Sequence, residues 1–220
     1  MNADILKVHI QYRMVIVSTV GVWNFMFATR FKQEATNLRM IEISHKIRYQ
    51  YAATKIKTDD VVLDVCCGVG YGAFILANES DCISIDAFDA SYESVSVGRE
   101  YYKHPKISYH IADACTVNLP TNRYDFVTMF EAIEHLTMPL SSLSEVSISM
   151  KEGAKMMIST PCVEWDPERF KTHVRHYTLD QMCEMLEDVG LTVNRVRYQK
   201  KNNVRISNRG GDYMIIEATK

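Results

Sequence analysis

Glu131, Glu134 and His135 fall within a five-residue span, and His173 and His176 follow on a later stretch of the chain. On a helical turn, Glu131 stands three residues before Glu134 and four before His135, so all three can face one side. With His173 supplied by a separate loop, Glu131, Glu134, His135 and His173 would form an oxygen and nitrogen ligand set suited to Mg²⁺, Mn²⁺ or Zn²⁺. A metal there would hold vicinal oxygens of a bound molecule and acidify an attacked hydroxyl. Without a metal the same residues read as acid–base machinery. His135 or His173 would take a proton with Glu134 beside it, while Glu131 turned to a neighbouring ligand. His176, next to the start of a helix, is the less apt histidine.

A second constellation lies earlier, at Asp64-Val-Cys66-Cys-Gly68-Val-Gly70-Tyr-Gly72. Glycines spaced in this way allow backbone to approach a ligand closely, as at the carboxyl edge of an open α/β sheet. The spacing is G-x-G-x-G, not the G-x-G-x-x-G of nicotinamide sites, and no G-K-[ST] follows as a P-loop requires. Asp64, at the end of the preceding apolar run, would repel a pyrophosphate but could engage an ammonium.

The elements that must position these groups can be read from the changing period of apolar residues. Between Lys32 and Ile56 the apolar spacing is helical, one or two helices with Arg39, Lys46 and Arg48 outside. Strands are expected at Val61–Val65, Ile83–Ile85, Ile107–Ile111, Tyr124–Phe130 and Ala154–Thr160. Helices are expected at Ala73–Asn78, Tyr92–Tyr102, Leu140–Met150 and Thr178–Val189, the last with Thr178 as N-cap and Gly190 behind it. Alternating strands and helices imply a doubly wound α/β fold with a parallel sheet. Leu191–Gln199 and Asp212–Thr219 have no helix between them, so they form a hairpin that adds one antiparallel strand.

The acidic residue followed by G-x-G-x-G resembles the first motif of the class I S-adenosylmethionine (SAM)-dependent methyltransferases, with Cys66 where that motif has Gly or Ala. The resemblance covers roughly residues 40–220 and implies a mostly parallel seven-stranded sheet with an antiparallel C-terminal strand. It assigns Asp64, Cys66, Gly68 and Gly70 to the cofactor loop. The ribose diol falls to Asp86 or Asp89, with the run Asp89-Ala-Ser91-Tyr-Glu93 the better match. Asp113 and Ala114 would flank the adenine, and Glu131 the methionine part. His45-Lys-Ile-Arg48-Tyr-Gln-Tyr51, together with Ser159-Thr160-Pro161 and Thr172-His173-Val-Arg175-His176, resembles bacterial and phage methyltransferases of glycan biosynthesis. The expected activity is O-methylation of a sugar or small-molecule hydroxyl. The alternatives are a metal-assisted methyltransferase of RNA 2′-hydroxyl ends and a SAM-binding protein without transferase activity.

Composition narrows the partners. The 220 residues are 47% apolar and 24% charged, an ordinary globular balance. Twenty-five Lys and Arg against 27 Asp and Glu leave a net charge of -2, so no global field draws the chain to DNA or an anionic membrane. Local charge is different, since Leu191–Gly211 carries Arg195, Arg197, Lys200, Lys201, Arg205 and Arg209 and no acid. Such a loop over the acceptor site would suit an anionic glycan or nucleotide-linked sugar, with RNA the less favoured partner. Six cysteines without C-x-x-C spacing point to a reduced, cytoplasmic protein. Met14–Thr29 is apolar but falls short of the roughly 20 residues of a membrane span. Residues 1–35 are therefore read as an extension or active-site cover, and 36–220 as the methyltransferase domain.

Overall fold

A computed structural model describes residues 41–220 except 165 and 167, so the expectations for residues 1–35 and for Met14–Thr29 lie outside the described residues. The β-branched run Val61–Val65 forms β1, and the uninterrupted apolar run Tyr124–Phe130 forms β4 beside it; both are buried along nearly their whole length. Burial on two faces is what a parallel strand covered by helices requires. The other elements are α1 (Ile43–Ala53), α2 (Tyr71–Glu79), β2 (Ser84–Asp89), α3 (Tyr92–Tyr101), β3 (Ile107–Ile111) and α4 (Pro139–Ser149). They are followed by β5 (Met150–Pro161), α5 (Leu179–Asp188), β6 (Thr192–Gln199), β7 (Ile206–Ser207) and β8 (Tyr213–Thr219).

One sheet holds all eight strands in the order β3-β2-β1-β4-β5-β8-β6-β7. β1 to β5 are parallel, and β8 runs antiparallel between β5 and β6. The eighth strand beyond the seven expected is β7, a two-residue segment inside the basic loop that pairs antiparallel with Tyr198 and Gln199. Along β1 the side chains alternate between two cores. Val62 joins the apolar faces of α1, α2 and α3 through Ala52, Leu76 and Val95. Leu63 and Val65 join those of α4 and α5 through Leu143, Val146, Met182 and Leu186.

The sheet order reverses between β1 and β4, so the crevice that binds ligands in this architecture opens at their carboxyl ends. Cys66, Asp89, Ala112, Glu131 and Cys162 each begin or end a loop at that edge. β6 runs antiparallel to β8 and hence with the parallel set, which carries Gln199 and the basic loop to the same edge. At the amino-terminal end of α5, Thr178 and Gln181 form the reciprocal capping box, and past its carboxyl end Gly190 turns left-handed at φ 81°.

One side chain contradicts the helical reading. Arg48, expected outside, is 0% exposed and faces the sheet with Ser44, His45, Tyr49 and Ala52. The stripe spaced i, i+1, i+4, i+5 and i+8 is the buried one, and its polar members hid it from a count of apolar residues. Among the described residues no helix is long and apolar enough to cross a membrane.

Candidate functional site

The glycine loop is shaped by left-handed backbone and by two tyrosines. Cys66, Gly68 and Gly70 have φ of 56°, 56° and 87°. A Cβ on Gly70 would stand 2.6 Å from the Tyr109 ring, and one on Gly72 would stand 2.1 Å from the Tyr49 ring. A Cβ on Gly68 would meet nothing within 4 Å, so this glycine answers to its backbone angle and to the open side of the loop. Cys66 shares the left-handed conformation, which is why Gly suits its position. Burial pushes its thiol well above the ordinary range, so it stays protonated.

Asp89 closes the loop from β2. Its Oδ2 accepts the Gly68 N–H at 2.9 Å and its Oδ1 accepts the Ser91 N–H at 2.9 Å. Each oxygen retains lone-pair capacity for a diol. Asp86 is a correction to the pair of ribose candidates. It is held by Arg123 at 3.0 Å, by the Tyr124 hydroxyl at 3.1 Å and near His110, so it braces the sheet at the entrance of β4. Three residues of strand separate it from the ligand edge. Asp113 is exposed beyond β3 and accepts the Cys115 N–H at 2.9 Å, whereas the Ala114 methyl is buried in the core.

Asp64 differs from its expected role. Its fully buried carboxyl lies beneath the loop, where it accepts hydrogen bonds from Thr128 Oγ1 at 2.6 Å and the Tyr49 hydroxyl at 3.2 Å. Burial pushes its pKa up to about 7 against the opposing hydrogen bonds. It supports the loop from below and does not present an oxygen to an ammonium.

The metal-like set divides in two. Glu131 has a left-handed φ of 52°, outside the 3₁₀ turn Ile133–His135, and its Oε1 accepts from Ser159 Oγ at 2.8 Å. Glu131 is therefore not a member of the cluster, because the turn expected to align it with Glu134 begins after it. Glu134, His135 and His173 do converge, with one ligand atom from each lying within 4.8 Å of the others. Glu134 is 1% exposed; Thr160 Oγ1 donates to Oε2 at 3.0 Å, and Oε1 is buried without a hydrogen-bond partner. Burial, and next the nearby Glu131, push its carboxyl well above the ordinary range.

Hydrogen bonds assign the imidazole tautomers. His135 Nδ1–H donates to the Thr172 carbonyl at 2.9 Å, which leaves a lone pair on Nε2. His176 Nδ1–H donates to the Val163 carbonyl at 2.8 Å, so its Nε2 accepts from His173 Nδ1–H at 2.6 Å. His173 therefore carries its own lone pair on Nε2. Burial and the two neighbouring imidazoles lower His173 to about 3, and burial lowers His135 and His176 as well. His176, set aside on sequence, is thus the residue that orients His173, and Phe170 stacks on the His173 ring at 5.1 Å between centroids.

Arg48 is the main residue that sequence reasoning missed. Its Nη1 donates to Gln199 Oε1 at 2.9 Å, its guanidinium lies over the Tyr213 ring at 4.7 Å, and Nη2 is 3.8 Å from Glu131. A groove of about 730 Å³ opens nearby, lined by Cys162, Val163, His176, Tyr177, Arg209 and Gly210 among others.

Comparison with known proteins places this geometry in context. Residues 39–196 match the family described as "Methyltransferase domain". The chain is 27% identical over 151 residues to a Mycobacterium tuberculosis protein named a probable S-adenosylmethionine-dependent methyltransferase, covering 66% of this chain and 53% of that one. It is 29% identical over 144 residues to phosphoethanolamine N-methyltransferase of Triticum aestivum, covering 61% and 28%. The chain thus spans about half the length of the mycobacterial relatives it matches. Among solved structures, the Haloferax volcanii complex of the Trm112 methyltransferase activator with a methyltransferase aligns with a TM-score of 0.73 at 16% identity, over 92% of this chain and 99% of that one. Haemonchus contortus phosphoethanolamine N-methyltransferase 2 in complex with S-adenosyl-L-methionine aligns at 0.59 and 22%, over 67% and 38%. At these identities the structural likenesses show the fold.

Proposed function

This chain belongs to the methyltransferase domain family, and from that premise we propose that it transfers the methyl group of SAM to a hydroxyl of a sugar or other small molecule. The observation that carries the reading is the neutral imidazole of His173, whose Nδ1–H is held by His176 so that Nε2 keeps a lone pair, in the loop that follows β5 at the ligand edge. The residues fit the cofactor. Gly68 leaves open space on the loop, and Asp89 offers two acceptor oxygens to a vicinal diol. When bound, SAM supplies an electrophilic methyl on a sulfonium that is already a good leaving group, so positioning accounts for most of the rate.

The chain's own task is to aim the acceptor oxygen and take its proton. His173 Nε2 would accept that proton, and the resulting imidazolium would keep its Nδ1–H bond to His176. A hydroxyl releases its proton only as the new carbon–oxygen bond forms, so an imidazole neutral at physiological pH is in the right state to begin. The groove beside His176, with Arg209 on its rim, has the size of a pocket for a nucleotide-linked sugar. All six cysteines are free, as in a reducing compartment, which supports a cytoplasmic setting.

A second reading is favoured by Glu134 Oε1, buried without a partner among the ligand atoms of His135 and His173. Glu134, His135 and His173 would hold Mg²⁺, Mn²⁺ or Zn²⁺, the backbone carbonyl on His135 Nδ1 and the ring of His176 orienting the ligands from outside. The metal would bind acceptor oxygens and lower the hydroxyl pKa.

The test is formation of S-adenosylhomocysteine with nucleotide-linked sugars, neutral glycans, catechols and short RNA ends, with and without EDTA. Product with a sugar hydroxyl, unaffected by EDTA and lowered about 100-fold in His173→Ala, is the expected result. Loss with EDTA, restored by one divalent ion in the wild type but not in Glu134→Ala, would replace the base with the metal. Tight SAM binding and no product from any acceptor would leave a binding protein.

A further inference from the structure

We propose that the Tyr177 hydroxyl is a specificity-determining group for the acceptor, held unpaired in the groove beside His176 to hydrogen-bond an oxygen of the sugar; this rests on the sugar O-methylation reading above. Tyr177 is 4% exposed, and its hydroxyl is buried without a hydrogen-bond partner. Buried tyrosine hydroxyls usually find a partner, and one left without it costs stability. A phenylalanine would fill the same space in the core shared with Met182, Leu186 and Met214 and would carry no such cost. The hydroxyl is thus a group that the fold does not use for itself.

Other polar groups of the wall already have partners. Cys162 Sγ donates to the Gly211 carbonyl at 3.3 Å, His176 Nδ1–H donates to the Val163 carbonyl at 2.8 Å, and Thr178 Oγ1 accepts the Gln181 N–H at 3.2 Å. Leu179, Tyr198 and Met214 add apolar surface, while Glu164 and Arg209 are exposed at the rim. An oxygen entering the groove therefore meets a buried donor that gains a bond by its arrival. Burial raises the Tyr177 hydroxyl above its ordinary range, against Arg175 and with Glu134, so it stays a donor at physiological pH.

The position suits the reaction. His176 lines the groove, and its Nε2 accepts from His173 Nδ1–H at 2.6 Å, so the wall of the groove is one ring away from the proton acceptor. A sugar carries several oxygens on one ring. It can give one hydroxyl to His173 and a second oxygen to Tyr177, while a diphosphate reaches Arg209 at the rim. An acceptor with a single hydroxyl would leave the buried donor unpaired, and a site of that kind discriminates strongly against such a molecule.

Calorimetric titration of the full chain, saturated with S-adenosylhomocysteine, with UDP-glucose and with UDP tests this, because UDP lacks the sugar. Tyr177→Phe should bind UDP-glucose about 10-fold more weakly than wild type, the loss of one hydrogen bond, and UDP within about threefold. Its Tm in the S-adenosylhomocysteine complex should equal or exceed that of wild type, since an unpaired buried hydroxyl has been removed. Arg209→Gln should weaken both probes about fivefold. Equal affinity of Tyr177→Phe and wild type for UDP-glucose overturns the proposal. A Tm lower by more than about 3 °C does so too, because the hydroxyl would then be a structural hydrogen bond. Arg209→Gln binding both probes as wild type does would place the sugar elsewhere and overturn it as well, as would a wild type that holds S-adenosylhomocysteine but neither probe. Binding of UDP-glucose that depends on Tyr177, without methyl transfer to it or to any other sugar, would uphold the contact and remove the O-methylation reading instead.

Discussion

Replacing Asp64 by Asn should abolish a large pH dependence of stability. In the folded chain this carboxyl keeps its proton up to about 7, whereas its ordinary value is 3.8. Between those values the folded state binds more protons than the unfolded one, so stability falls as pH rises from about 4 to about 7. The full cost above both values is about 4 kcal/mol, of which about 2.5 kcal/mol falls between pH 5 and pH 8. The Asn carbonyl can accept the same hydrogen bonds from Thr128 and Tyr49 but has no proton to lose. Urea unfolding of wild type and Asp64→Asn at pH 5 and pH 8 yields four free energies. Other titrating groups, among them Glu134 and His173, cancel in the double difference. Asp64→Asn should gain about 2.5 kcal/mol on wild type between the two pH values, a relative rise in Tm of about 5–10 °C. A double difference below about 1 kcal/mol, or wild type gaining on the variant as pH rises, would refute the assignment of a neutral acid beneath the loop.

Three further outcomes follow from the same contacts. Asp89→Ala should weaken S-adenosylhomocysteine binding by about 30-fold or more in calorimetry, since the carboxylate holds the loop and, on the proposed reading, would receive both diol hydroxyls, while Asp86→Ala should change it less than about threefold. Gly72→Ala should lower stability by about 3 kcal/mol in urea unfolding, because the Tyr49 ring in its way is held by Phe130 at 4.9 Å and by Asp64 and has no room to retreat. His176→Phe keeps the ring contact with Phe170 but takes away the acceptor for His173 Nδ1–H; turnover should fall about 10-fold with KM for SAM unchanged, and an unchanged turnover would remove His176 from the orienting role.

Much of the fold was legible in one dimension because its signals are local. β-branched runs such as Val61–Val65, the helical segments between them, and Thr178 with Gly190 around α5 depend on neighbours a few residues away. The expected elements stand within a few residues of their places except at β5, whose amino-terminal half from Met150 extends through Gly153 and carries exposed residues that dilute its pattern. The two-residue β7 was not legible, since Ile206–Ser207 has no period to read and owes its pairing to Tyr198 and Gln199.

The candidate site was legible in its loop but not in its directions. Asp89 and Asp86 are alike in type and near in sequence; the run after Asp89 already favoured it, and strand register then shows it at the ligand edge and Asp86 at Arg123. The grouping of Glu131 with Glu134 assumed continuous helix, and one positive φ turns Glu131 away to Ser159 and Arg48. Arg48 looked like a solvated charge because its partners, Glu131, Gln199 and Tyr213, are far away along the chain. By itself the sequence determined the element types, the doubly wound order and the glycine loop, because periodicity and turn chemistry act over short spans. Tertiary structure decided which acids face the ligand, which imidazole nitrogens carry lone pairs and which cation is buried, because those depend on hydrogen bonds between residues that only the packed sheet brings together.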